Sequence, residues 1–281
     1  MQPTARELLA PRLMPDVGQT NLRRASMETY RALRILHAAR SGSSWPVLIE
    51  TDAGVFHTKL RGAAQAPASL VAEIIVGALA DALELSVPAR VLIDIPSDVP
   101  VDDPHQELGE LLHRSVGRNL GFQYMADARS FRPIDGSRVD PELASTIVWL
   151  DGLVQNPDRT VKNPNLLWSH GALWLIDHGA SLGFQHDWRR VTEQSPRSNG
   201  WQVGGHVLWS RATELQVVDA ALASRLHRGE LESAVDAVPD DFLSEDGRET
   251  TRGRRAAYVA FLWKRLQGPR PFMPAAWPTA G

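Results

Sequence analysis

A chain of 281 residues, 43% apolar and 22% charged, can bury one large core or two smaller ones and is too ordinary in composition for a disordered or fibrous protein. A formal charge of -3 gives no electrostatic reason to expect a nucleic-acid partner. The absence of cysteine excludes disulfides, thiolate metal sites and a cysteine nucleophile, and it fits a reducing compartment. The opening MQPTARELLAPRLMPD carries acids and prolines where a secretory signal needs an apolar run, and charge interrupts every apolar stretch before the roughly 18 residues of a membrane span. A cytoplasmic protein with no membrane span is therefore expected.

In chain order, Val47 to Thr51 and Val55 to Leu60 are two β-prone runs around Asp52-Ala53-Gly54, which predicts a hairpin with Lys59 near its end. After Pro67, apolar residues at 70, 74, 75, 78, 79, 82 and 83 predict a helix with Ser69 as N-cap, stopped by Val87-Pro88. Val91 to Ile95 predicts a further strand, followed by a loop in SDVPVDDP. Helices dominate thereafter. Asp140, Pro141 and Glu142 supply an N-cap, a first-position proline and a first-turn acid for a helix with Leu143, Ile147, Leu150 and Val154 on its buried face. QNPDRTVKNPN breaks that helix, and Leu166 to Trp168 with Leu173 to Ile176 predict a second hairpin around Ser169-His170-Gly171-Ala172. Residues 210 to 266 suit amphipathic helices, and the proline-rich GPRPFMPAAWPTAG suits an unpaired tail.

The stretch from Asp151 to Phe184 carries the chemistry. Asp158 follows a helix, Asn163 comes five residues later, and Asp177 stands directly after an apolar strand beyond a hairpin. Phosphoryl transfer needs a carboxylate to orient the attacking hydroxyl and oxygen ligands for Mg²⁺, with little covalent help from the protein. Counting forward from Asp158 favours Asn163 as the metal ligand beside Asp177, and counting back from Leu166-Leu167 favours Asn165. Asp151 suits bonding to the loop backbone, and Arg159 suits pairing with a carboxylate to hold the loop. His178, His186 and His206 follow no short ligand spacing, so zinc is not expected. Only Lys59, Lys162 and Lys264 of the 30 basic residues are lysine, and a guanidinium does not replace a compact ammonium everywhere.

Asn156-Pro-Asp158 with Lys162-Asn163 resembles the N-x-D-x-x-x-K-N catalytic loop of HipA-like kinases, and Ile176-Asp177-His178-Gly179 resembles their metal-binding strand end. FHTKLRGAAQ is similar to that family's strand lysine and G-x-x-Q turn, and Asp158-Arg159 is also similar to the pair in phosphatidylinositol kinases. The resemblance covers roughly residues 30 to 190 and implies an α+β, bilobal protein-kinase-like fold. Residues 1–120 would form the small β-rich lobe, 121–130 the hinge and 131–281 the helical lobe. It implies that Lys59 holds the α- and β-phosphates of ATP with Glu73 as its partner, that Asn163 and Asp177 hold Mg²⁺, and that Asp158 is the catalytic base. The implied activity is serine/threonine protein kinase. Two departures stand out: Thr160 occupies a position where many relatives have histidine, and no G-x-G-x-x-G loop is visible. Gly42, Ser43 and Ser44 are the nearest candidates for a backbone phosphate cradle. Lys162 is either a second phosphate contact or a solvated loop charge. The competing readings are a kinase-shaped binding module without turnover and a kinase acting on a small hydroxylated molecule or lipid head group.

Overall fold

The computed structural model describes residues 27–38, 47–63, 67–102, 106–198, 203–243 and 250–273. Gly42, Ser43 and Ser44 lie outside these residues. The chain divides into two compact units, Met1–Ala64 with Ala89–Tyr124, and Gln65–Pro88 with Met125–Gly281.

The first unit is a closed barrel of β1 (Thr29–Ala38), β2 (Val47–Thr51), β3 (Gly54–Lys59), β4 (Arg90–Ile95) and β5 (Gly117–Gln123), in the order β1-β2-β3-β5-β4. The predicted hairpin is β2 and β3, paired from Val47 opposite Thr58 to Thr51 opposite Gly54. Alternation along β2 points Val47 and Ile49 inward to meet Ile35, Phe56 and Ile93. Helix α2 (Gln106–His113) lays Leu108, Leu111 and Leu112, spaced three and four apart, on that core. Parallel pairing of β1 with β4 closes the barrel and leaves no open edge between them. Lys59 ends β3 opposite Leu120 of β5.

The second unit holds α1 (Ala68–Ala82), α3 (Pro141–Val154), α4 (Leu215–Arg225), α5 (Arg228–Asp236), α6 (Asp240–Leu243) and α7 (Thr251–Leu266), with a small sheet of β6 (Arg129–Ser130), β7 (Leu166–Ser169) and β8 (Ala172–Leu175). Helix α1 packs on α5 and α6 and is grouped with them, although its place in the chain suggested the small lobe. It starts one residue before Ser69, because Pro67 has a helix-compatible φ of -79° and its carbonyl takes the Val71 N–H. It ends before Val87-Pro88 through Glu84 at φ 62°, with the Leu85 N–H donating back to the Ala80 carbonyl. In α3 the predicted cap forms: Asp140 accepts from the Glu142 and Leu143 N–H groups. The β7–β8 turn has His170 at φ 49° and Gly171 at φ 79°, the two left-handed residues that a two-residue hairpin of matching twist requires. The tail differs from expectation. Phe272 is buried edge-on against Trp149, and Arg270 pairs with Asp219 at 2.7 Å, so this segment packs before the described residues end. No described helix is long and apolar enough to cross a membrane.

Candidate active site

Helix α3 delivers Asp151 fully buried, one turn before the chain leaves the helix through Gln155 at φ 57°. Arg265 of α7 fixes that exit. Its buried guanidinium donates to the carbonyls of Gly152 and Leu153, both at 2.8 Å, and to those of Pro196 and Ser198 at 3.1 and 3.0 Å. Burial brings its pKa down to about 10, so it remains a cation at neutral pH.

Asp151 was expected to bond to the loop backbone; it gathers side chains instead. Its Oδ2 accepts from Arg159 Nε at 2.6 Å and from His206 Nε2 at 2.9 Å, and its Oδ1 accepts from Asn156 Nδ2 at 2.9 Å. Burial alone would raise the Asp151 pKa, but Arg159 and His206 outweigh it and hold the carboxyl well below the usual range. A buried ion pair repays desolvation only when further hydrogen bonds satisfy the remaining lone pairs, and this carboxylate has them. Arg159 forms the predicted ion pair and also donates through Nη1 to the Asn165 carbonyl and through Nη2 to His178 Nδ1 at 3.3 Å. An arginine only donates, so His178 accepts at Nδ1.

Asp158 is half-buried in the loop held by this network. Its N–H donates to Asn156 Oδ1 at 3.0 Å, and its carboxylate Oδ2 accepts from Asn163 Nδ2 at 2.8 Å and Asn165 Nδ2 at 3.1 Å. Both amides thus turn their nitrogens to Asp158, which directs their carbonyl oxygens away from it. Asn163 is exposed, whereas Asn165 is buried in a left-handed conformation at φ 48°. The Asn165 carbonyl also accepts the Ile176 N–H at 3.1 Å, which ties the loop to the end of β8. Asp177 follows at once, half-buried at φ 56°. Left-handed backbone at two non-glycine residues of one small region is strain of the kind that sites retain.

Glu73 on α1 is fully buried beside this strand end: a Cβ on Gly179 would sit 3.2 Å from Ser69 Cβ and 3.4 Å from Glu73 Oε1, so a side chain there would have to push the two segments apart by a few tenths of an ångström. Lys59 is half-buried in the barrel unit, its Nζ 5.9 Å from the centre of the Phe122 ring. Lys162 is exposed. Asp158, Asn163, Asn165, Asp177 and Glu73 all belong to the second unit, and Lys59 belongs to the first. Among the described residues no three His, Cys, Asp or Glu side chains form a metal cage. The side chains of Asn163, Asn165 and Asp177 carry oxygen donors, the ligand type that a hard cation takes.

The HipA-like kinase family model matches residues 32–261. The chain belongs to the HipA-like kinase family. It is accordingly a kinase. The fold is also similar to the crystal structure of the Helicobacter pylori proinflammatory kinase CtkA, with a TM-score of 0.51 at 11% identity, over 79% of this chain and 89% of that one. No curated protein matches.

Three residues of this candidate site in the HipA-like kinase have no role that the sequence alone assigns. Asn156 was read only as part of the motif, and its double role emerges from geometry. Arg265 had a usable signal: it lies on the same helix face as the buried Phe261 and Leu262, four and three residues earlier. His206 had none, being 55 residues from the carboxylate it meets.

Proposed function

We propose that this kinase transfers the γ-phosphate of MgATP to a serine or threonine hydroxyl of a protein in the cytoplasm. The observation that carries the reading is Asp158. Among the described residues both asparagine amides take its Oδ2, which leaves Oδ1 to accept the proton of an incoming hydroxyl in a loop already fixed by the Asp151–Arg159 pair. Asn163 is assigned with Asp177 as the Mg²⁺ pair because its carboxamide is exposed, and Asn165 then acts as a brace on Asp158. What Mg²⁺ supplies when bound is neutralisation of charge on the phosphates. Lys59 is assigned the α- and β-phosphates through the family resemblance, and in this reading the barrel and helical units serve as the small and large kinase lobes.

The test is incubation of the protein with γ-labelled ATP, Mg²⁺ and a cell lysate, followed by identification of the labelled species. Label on protein serine or threonine is expected. Asp158→Ala should abolish transfer and leave MgATP affinity within a few fold, whereas Asp177→Ala should weaken both. Label confined to lipid or small-molecule fractions would refute the protein acceptor, and transfer that survives in Asp158→Ala would refute the catalytic base.

A further inference from the structure

Resting on the assignment of Asp158 as base, we propose that His206 is a positioning residue for phosphoryl transfer: a neutral imidazole that docks on the catalytic loop and, by donating to Asp151, fixes where the Asp158 carboxylate stands. The segment around it is seated on the loop through its backbone, with the Val207 N–H donating to the Arg159 carbonyl at 3.0 Å and His206 bridged to Thr160. The ring itself is buried. Both of its nitrogens have fixed roles. The Leu208 N–H donates to Nδ1 at 3.0 Å, so Nδ1 accepts and the proton sits on Nε2, which donates to Asp151 Oδ2 at 2.9 Å.

Two hydrogen-bonded routes lead from that carboxylate to Asp158. One runs from Asp151 Oδ1 through the Asn156 carboxamide to the Asp158 N–H. The other runs from Asp151 Oδ2 through Arg159 to the Asn165 carbonyl, and from the Asn165 amide to Asp158 Oδ2. The backbone and the carboxylate of the base are thus both set by the orientation of Asp151. Among the described residues, the charged groups facing His206 in this arrangement include Asp151 and Arg159, with His178 behind Arg159. Loss of the His206 donor would leave Asp151 Oδ2 with Arg159 Nε alone, while Oδ1 keeps Asn156 Nδ2 at 2.9 Å and Arg159 Nη2 at 3.5 Å, so the carboxylate would tilt on this one-sided support and shift both routes with it.

Two substitutions separate the two ring nitrogens. His206→Gln retains an N–H near the position of Nε2 and keeps the donation to Asp151, whereas His206→Asn retains an acceptor near Nδ1 and keeps only the bond from Leu208. The glutamine variant should hold kcat within about threefold of wild type and the asparagine variant should lose roughly 10²-fold, the scale of a small displacement of a reacting group, with KM for ATP little changed in both. A readout independent of turnover comes from ¹⁵N NMR: the His206 ring should show Nε2–H with unprotonated Nδ1, and the side-chain amide signals of Asn163 and Asn165 should move in His206→Asn and stay in place in His206→Gln. Equal losses of kcat in the two variants, losses that simply follow the melting temperature, or unmoved asparagine amide signals would each overturn the proposal. A wild-type protein that transfers no phosphate would sink the assigned reaction instead, and the amide signals would still decide the positioning claim.

Discussion

At the end of β3, Lys59 lies opposite Leu120 with its ammonium 5.9 Å from the Phe122 ring centre, a half-buried setting with an aromatic face on one side. A phosphate lysine presents a compact charge with three rotatable donors, whereas arginine presents a longer planar fork with fixed donor directions. Lys59→Arg keeps the charge and, in the proposed role, should lower transfer by roughly 10²-fold or more through misplacement of the cation, with folding intact. Lys162→Arg, at an exposed loop position, should cost far less. Initial-rate kinetics on both variants decide the matter: wild-type turnover in Lys59→Arg would move the phosphate contact elsewhere, with Lys162 the next residue to test. The other named residues carry comparably narrow roles. Asn156 spans the loop by donating to Asp151 and accepting from Asp158, a double use that neither aspartate nor alanine reproduces.

The elements that the sequence made legible are those whose signals are local. Asp140-Pro141-Glu142 starts α3 because the cap, the proline and the acid all act within the first turn, and His170-Gly171 shapes the second hairpin because turn handedness depends on those two residues alone. Elements that depend on distant partners were not legible. Strand β5 reads poorly because it contains two glycines and a buried Asn119, whose carboxamide accepts from the Arg61 N–H at 2.8 Å and donates to the Ser115 and Gly117 carbonyls at 2.7 and 2.8 Å. The packed tail depends in the same way on Trp149 and Asp219, neither of them near it in sequence. Arg265 joins α7 to the end of α3 and is the element-scale test. Its removal leaves four carbonyls without their common donor, so Arg265→Met should destabilise the protein by roughly 3 kcal/mol or more. Arg265→Lys should fall between, since one ammonium cannot reach four carbonyls in two directions. Urea denaturation reads the difference, and a loss below about 1 kcal/mol for Arg265→Met would mean that water replaces the guanidinium.

At the scale of the whole molecule, the proposed chemical order rests on sequence pattern, and its internal support comes from geometry alone. Asp158, Asn163 and Asp177 are proposed for the chemistry because they stand in the order of residue types that phosphoryl transfer would need, whereas the buried cage behind them joins Asp151, Arg159, His178 and His206 across chain distances that no local pattern records. That cage, together with His57 in the barrel unit, gives the folded protein an acid-sensitive side with a definite sign. Burial lowers the His57 pKa, and burial with a contribution from Arg159 lowers that of His206 against the upward pull of Asp151. A folded-state pKa below the unfolded value means that the unfolded chain takes up its proton first, so stability is greatest above the unfolded histidine pKa of about 6.5 and declines as pH falls below it. Asp151, also held below its ordinary value, adds stability that is present above about pH 3.9 and is lost on further acidification. Denaturation midpoints measured in steps from about pH 8 to about pH 3 should therefore fall gently from about pH 6.5 and more steeply below about pH 4. His206→Gln cannot take up the proton, so it should flatten the first decline to the part that His57 contributes and leave the steep one in place. A midpoint that rises as pH drops from 7 to 5, or a first decline identical in wild type and His206→Gln, would show that the buried imidazole is already charged in the folded state.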